Sequence, residues 1–195
     1  MSELDTIISD IEIFAKQRMV KDILHGWPHI QRVLKYAQLV SKELGGHWPV
    51  VHAAVLMHDL GHAEDSSRHH EIGADIAGDF LKKKGISEKI VFHVKECILT
   101  HSRQLSLNQP SSIEAKILFD ADGMDLFGAC GVIRALLSCG LKHKGFDCMI
   151  KKLKWRLTER DNFNSKTALN FAHKNSGIIQ TFLEQLKAQL EIFSE

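Results

Sequence analysis

An all-α fold is what this 195-residue chain predicts, on three observations. Apolar residues recur at i, i+3, i+4 and i+7 in segment after segment, prolines and glycines fall between those segments, and no stretch alternates apolar with polar residues as a half-buried strand would. Leu4, Ile7, Ile8, Ile11, Phe14 and Ala15 form the first stripe and predict a helix near 3–18. Ile30, Val33, Leu34, Ala37 and Val40 form the second, near 28–44, and Pro28 begins it where a first-turn proline costs no hydrogen bond. Pro49 starts a strongly apolar helix near 49–60, and a further helix is expected near 70–84. Ile90, Val91, Val94 and Ile98 place the next near 87–101, with Ser87 before Glu88 as its N-cap. Ser111 with Glu114 reads as a capping box for a helix near 111–121. Helices near 124–139 and 145–158 come next, and Ile179, Phe182, Leu183, Leu186, Leu190 and Phe193 mark one face of a last helix near 167–193. Gly45-Gly46, Gly61, Gly85, Gly140 and Gly145 separate these segments.

Length and composition bound the organisation. With 44% hydrophobic and 25% charged residues, the chain reads as one ordinary helical-bundle domain spanning residues 1–195. Its core is expected at about 20–140, followed by C-terminal helices at 145–193. A net charge of +1 gives no global attraction to nucleic acid, so general DNA or RNA binding is excluded and any anion site must be local. Cys97, Cys130, Cys139 and Cys148 contain no C-x-x-C pair. That excludes a zinc knuckle and suits buried apolar cysteines of a reducing compartment. The start is acidic rather than signal-like, and no apolar run approaches the roughly 20 residues that span a bilayer. A cytoplasmic protein with no membrane partner is therefore expected. Histidine, at 12 residues, is the composition's outlier and directs the search for function.

The densest signal is VVHAAVLMHDLGH (50–62), an apolar helix that ends in His58-Asp59. Consecutive helical side chains diverge by about 100°, so an imidazole and a carboxylate at adjacent positions reach one ion only near a helix end, or through a bridging carboxylate. Gly61 puts the end in the right place. A metal with an open position needs at least three protein ligands, so others must come from elsewhere. His29, His70, His101 and Asp122 all lie near predicted helix ends. Nitrogen and oxygen donors without thiolate suit Mn²⁺, Fe, Mg²⁺, Co²⁺ or Zn²⁺, with Mn or Fe favoured, and exclude copper(I) and iron–sulfur clusters.

The order His29, His58-Asp59, Asp122 resembles the motif that names the HD-domain superfamily of metal-dependent phosphohydrolases. HGWPHIQRV (25–33) looks like its opening motif, AAVLMHDLGH (53–62) like its central one and DADGMDLFGACGVIRA (120–135) like its closing one. TALNFAHKN (167–175) resembles the tail of one subgroup, so the likeness runs from about residue 20 to 185. The resemblance implies a helical bundle of the HD-domain type in which His29, His58, Asp59 and Asp122 hold one divalent ion. His70 in HHEIGA and His101 in ILTHS match the extra histidines of members that hold two. The chain departs from the pattern at Gly26, at Gly61-His62 and at Asn175, positions that bear on substrate rather than on the metal core.

The resemblance further implies a phosphohydrolase that cleaves a phosphoester or phosphoanhydride bond of a nucleotide or related small phosphorylated metabolite by metal-activated water. Asp59 would ligate and orient that water, with His62, Glu64 and Asp65 as candidates for proton transfer. His25 could point at substrate from its loop, Arg134 could clamp phosphate, and Lys144, in the basic stretch with Lys142, Lys151, Lys152 and Lys154, could attract a polyphosphate. His69 reads as a neighbour of the site, and His47, His52, His143 and His173 receive no role. A homodimer is compatible with this reading. The competing functions are a di-iron oxygenase of the same superfamily and a non-catalytic nucleotide-binding module.

Overall fold

The computed structural model describes residues 2–104, 109–140 and 145–191, and among them it shows nine α-helices, three short 3-10 turns and no strand. Lys142, His143, Lys144 and Phe193 lie outside the described residues. The helices are α1 (Ile8–Arg18), α2 (Trp27–Leu44), α3 (Trp48–Met57), α4 (His69–Lys83), α5 (Glu88–Thr100), α6 (Ile113–Met124), α7 (Gly128–Gly140), α8 (Gly145–Thr158) and α9 (Lys166–Glu191). The fold class is the one the periodicity predicts. Contacts divide the chain into two compact units, Met1–Asp122 and Gly123–Glu195.

The first unit is organised around α3. Val50, Val51, Ala53, Ala54, Val55, Leu56 and Met57 are all buried, leaving no polar stripe, so α3 can only be a core helix with neighbours on every side. It packs against α1, α2, α4 and α5. Helix propensity alone charges each of its valines up to about 0.7 kcal/mol, whereas full burial of such a side chain contributes about 1.5–3 kcal/mol. Burial decides the conformation. Pro28 and Pro49 stand in the first turns of α2 and α3, as expected.

Two glycines bring α4 against the exit of α3. A Cβ on Gly61 would lie 2.2 Å from the His69 carbonyl oxygen, and one on Gly73 would lie 3.0 Å from that of His58. No side chain fits at Gly61. Capping differs from the sequence reading at two helices. Ser87 stands at the N-cap position of α5, but its hydroxyl makes no cap bond, because its N–H and hydroxyl both donate to Glu3. At α6 the cap is Ser112, whose hydroxyl accepts from the Ala115 N–H at 3.1 Å, while the Glu114 carboxylate accepts the His47 N–H at 2.6 Å.

In the second unit, α7, α8 and α9 enclose Phe127, Val132, Ala135, Cys139, Met149, Leu153, Ala172, Ile179 and Leu183. Gly128 opens α7 at φ 69°, the left-handed region that glycine enters without strain. Cys139 and Cys148 form a disulfide with Cα atoms 5.8 Å apart, while buried Cys97 and exposed Cys130 are free. This corrects the expectation of four unbridged cysteines. The pairing depends on α8 turning back onto α7, which a C-x8-C spacing does not encode. No single described helix is long and apolar enough to cross a membrane.

Arg134, expected to clamp phosphate, is buried with its Nη1 donating to Asp125 Oδ2 at 2.9 Å, and the Asp125 carboxylate is fully buried. Removing Arg134 takes the guanidinium away from a fully buried carboxylate. Arg134→Ala should therefore lower stability by about 3–5 kcal/mol in urea unfolding. A loss below about 0.5 kcal/mol would show a guanidinium free to serve another partner.

Candidate metal centre

The site assembles in the first unit where helices end. The α3 helix stops at Met57, and His58, Asp59 and the 3-10 turn Leu60–Ala63 come after it. His29 sits in the first turn of α2, His69 opens α4, His101 closes α5, and Asp122 lies near the end of α6. A side chain at a helix end can turn inward over the terminus, which is how adjacent His58 and Asp59 both reach one centre. All of these except Asp122 are buried residues, and His29 and His58 are fully so.

Backbone carbonyls set the tautomers. The Nδ1 of His58 lies 2.9 Å from the Val55 oxygen, that of His69 3.0 Å from Ser66, and that of His101 2.6 Å from Ile98. A carbonyl only accepts, so each Nδ1 carries the hydrogen and each Nε2 of a neutral ring is left with a lone pair directed into the site. There His29 Nε2 and His58 Nε2 stand 3.3 Å apart, and His69 Nε2 and His101 Nε2 stand 3.2 Å apart. Two ring nitrogens this close need a proton or a cation between them.

Asp59 is the hinge of the arrangement. Its Oδ2 lies 3.5 Å from the Nε2 of both His29 and His58, and Asp122 Oδ1 adds a carboxylate 3.4 Å from His29 Nε2. Its Oδ1 turns the other way, 3.5 Å from the Nε2 of His62 and of His101 and 3.9 Å from that of His69. The donors thus fall into two groups that share one carboxylate. His29, His58 and Asp59 form a compact ligand set, and so do Asp59, His62 and His69.

Electrostatics match a cation. Burial pushes His58 down to about 4 and, with the nearby His101, holds His69 down to about 3, so both rings are neutral near pH 7. Burial would raise the carboxylate of Asp59, but His58, His101 and His62 more than reverse this and hold it well below the usual range. Asp122 is held low in the same way, burial being outweighed by His29, His58 and His101. For His101 burial opposes protonation, yet Asp59 and Asp122 prevail and raise it. Neutral imidazoles and ionised carboxylates are the states that ligate divalent metals.

Several expected residues stand elsewhere. His70 is the expected ligand, yet it is its neighbour His69 that comes within 3.9 Å of Asp59 Oδ1. The His70 ring is 5.7 Å from that of His69, and its buried Nδ1 has no hydrogen bond. Glu64 pairs with Arg18 at 2.8 Å, and Asp65 accepts from the N–H and hydroxyl of Ser67. His25 stacks on His62 at 3.8 Å, and His62 on His69 at 4.0 Å. His62, expected as a proton carrier, is among the possible ligands. The signal that favoured His69 was Gly73 four residues later, on the same face of α4, where the missing side chain admits the His58 carbonyl.

The HD-domain family model matches residues 26–126, just over half of the chain, and takes in every histidine and aspartate around the centre from His29 to Asp122. The chain belongs to the HD-domain family. HD domains typically bind divalent metals. The uncharacterized protein YpgQ of Bacillus subtilis (strain 168) is 27% identical over 179 residues, covering 85% of this chain and 84% of YpgQ. Among solved structures, a Lactobacillus plantarum protein has a TM-score of 0.81 at 23% identity, covering 96% of this chain and 98% of its own. YpgQ in complex with ADP has a TM-score of 0.74 at 22% identity, covering 93% and 97%. An HD-superfamily hydrolase from Bacillus thuringiensis has a TM-score of 0.72 at 26% identity, covering 96% and 98%.

The pH dependence of the metal-free protein is set by the histidines. Below about 6.5 the unfolded chain protonates His58 and His69, whereas the folded chain resists until about 4 and about 3. Stability is therefore lost as pH falls from 6.5 toward 4, at about 1.4 kcal/mol per pH unit for each histidine. His101, raised by folding, is protonated in both states over this window and does not offset the loss. Thermal unfolding of chelator-treated protein should show the midpoint falling throughout that window. A flat profile would contradict the buried, neutral state of the two rings.

Proposed function

We propose that this HD-domain chain is a metal-dependent phosphohydrolase acting on a phosphoester or phosphoanhydride bond of a nucleotide or related small phosphorylated metabolite. The observation that carries the reading is the convergence of the Nε2 atoms of His58, His69 and His101 on the two oxygens of Asp59. Such a centre suits cations. His29, His58, Asp59 and Asp122 would hold one divalent ion, and Asp59, His62, His69 and His101 a second, with Mn or Fe favoured by the imidazole-rich donor set. Bound there, the metal would acidify a water and neutralise charge growing on phosphoryl oxygens.

The protein's own residues supply the rest. Asp59 keeps both groups of imidazoles in register by offering one oxygen to each. His62 has Nε2 near Asp59 and Nδ1 3.3 Å from the Ser66 hydroxyl, a contact that would orient the ring as a ligand. His25, stacked on His62, limits how that ring can turn. The nucleotide is the favoured substrate class because the related YpgQ was crystallised with ADP.

The test is a hydrolysis screen of nucleotides and sugar phosphates with Mn²⁺ in ¹⁸O-labelled water, together with metal analysis. Label from water should enter the phosphate or pyrophosphate product, and chelation should abolish the reaction. Metal held at the HD centre should fall from about two ions toward one in His69→Ala, stay unchanged in His70→Ala, and be lost from that centre in Asp59→Ala. Oxygen taken from O₂ would identify an oxygenase, and nucleotide binding without turnover a binding module; either result overturns the proposal.

A further inference from the structure

A second group of donors lies along α5, one to two turns before His101. His93, Glu96 and Cys97 occupy i, i+3 and i+4 positions of that helix, which places them on one face. A ring nitrogen of His93, a carboxylate oxygen of Glu96 and the Cys97 sulfur all lie within 4.8 Å of one another, about twice the roughly 2.0–2.3 Å of zinc bonds to such ligands. Glu114, in the first turn of α6, brings Oε2 to 3.0 Å from His93 Nε2. That nitrogen is buried and faces the Glu114 carboxylate. A nitrogen and a carboxylate oxygen brought this close from two helices have the spacing of two ligands of one ion.

We propose that His93, Glu96, Cys97 and Glu114 form a second, thiolate-containing site for a zinc-class divalent cation, separate from the HD centre. The carboxylates are already oriented, as ligands are by an outer shell of donors. Glu96 accepts from the N–H and hydroxyl of Ser111 and from the Ser112 hydroxyl, and Glu114 accepts from the His47 N–H. Burial, then the charges of Glu96 and Glu114, push the Cys97 thiol up, so without a cation it keeps its proton. A divalent ion reverses that balance, displacing the proton to solvent as the sulfur–metal bond forms. A groove of about 730 Å³ lined by Lys95, Glu96, Leu99 and Ser111 borders the group at Glu96. The role is structural. An ion there would tie α5, which leads to His101, to α6, which carries Asp122.

The experiment uses the full chain with Asp59→Ala, which empties the HD centre, and Cys130→Ser, which removes the exposed free thiol. Titration with Co²⁺ should produce a thiolate-to-cobalt charge-transfer band in the near ultraviolet that saturates at one equivalent and is bleached by Zn²⁺. The HD centre has no sulfur ligand, so the band reports this site alone, whatever becomes of the proposed hydrolysis. Adding Cys97→Ser should abolish it. Should that variant not fold, His93→Gln should weaken cobalt binding by more than the roughly 10–100-fold that loss of an outer-shell partner costs. Cobalt uptake with no charge-transfer band, a band that survives Cys97→Ser, or His93→Gln binding unchanged would overturn the proposal.

Discussion

Three hydrogen bonds from imidazole Nδ1 groups to backbone carbonyls, at His58, His69 and His101, hold the centre in its working state. Each carbonyl lies three residues before its histidine; Val55 and Ile98 stand in the last turn of a helix, where the ladder of helical bonds leaves acceptors unused, and Ser66 in the turn before α4. The bond satisfies a backbone oxygen and fixes the ring at the same time. Its consequence is on the far side of the ring, where every Nε2 is turned inward as an acceptor. Without that choice of tautomer the same residues would be a hydrogen-bonded polar cluster rather than a ligand set.

The scaffold tolerates this concentration of unpaired acceptors. An apolar α3, buried on all sides, delivers His58 and Asp59 into a region where desolvation keeps imidazoles neutral. Burial also makes the site costly without a cation, since the lone pairs and carboxylates repel with little water to screen them. Gly61 and Gly73 contribute by what they lack. Their missing side chains let α4 approach closely enough for His69 to meet His101.

Much of this is legible in the sequence because it is local. Helical periodicity survives without knowledge of neighbours, and the proline and glycine positions mark breaks that packing does not override. His29, His58, Asp59 and Asp122 are marked by the spacing and wording of the motif, and the structure does gather them. The choice between His69 and His70 is not local. Adjacent residues at the start of a helix point about 100° apart, and only the packing of α4 on the exit of α3 selects one of them. Glu64 and Asp65 resemble proton carriers because they come directly after the motif. In the folded chain they serve Arg18 and a tight turn at Ser67.

By itself the sequence determined the helical class, the places where helices break, and the donor chemistry of the centre, because each is a matter of side-chain type and periodic spacing. The tertiary structure decided which donors meet: His69 instead of His70, His62 beside Asp59, Arg134 with Asp125, and Cys139 bridged to Cys148. The physical reason is range. Periodicity and capping act within a few residues, whereas the pairing of side chains from different helices is set by how closely two backbones can approach, and that is a property of the packed chain.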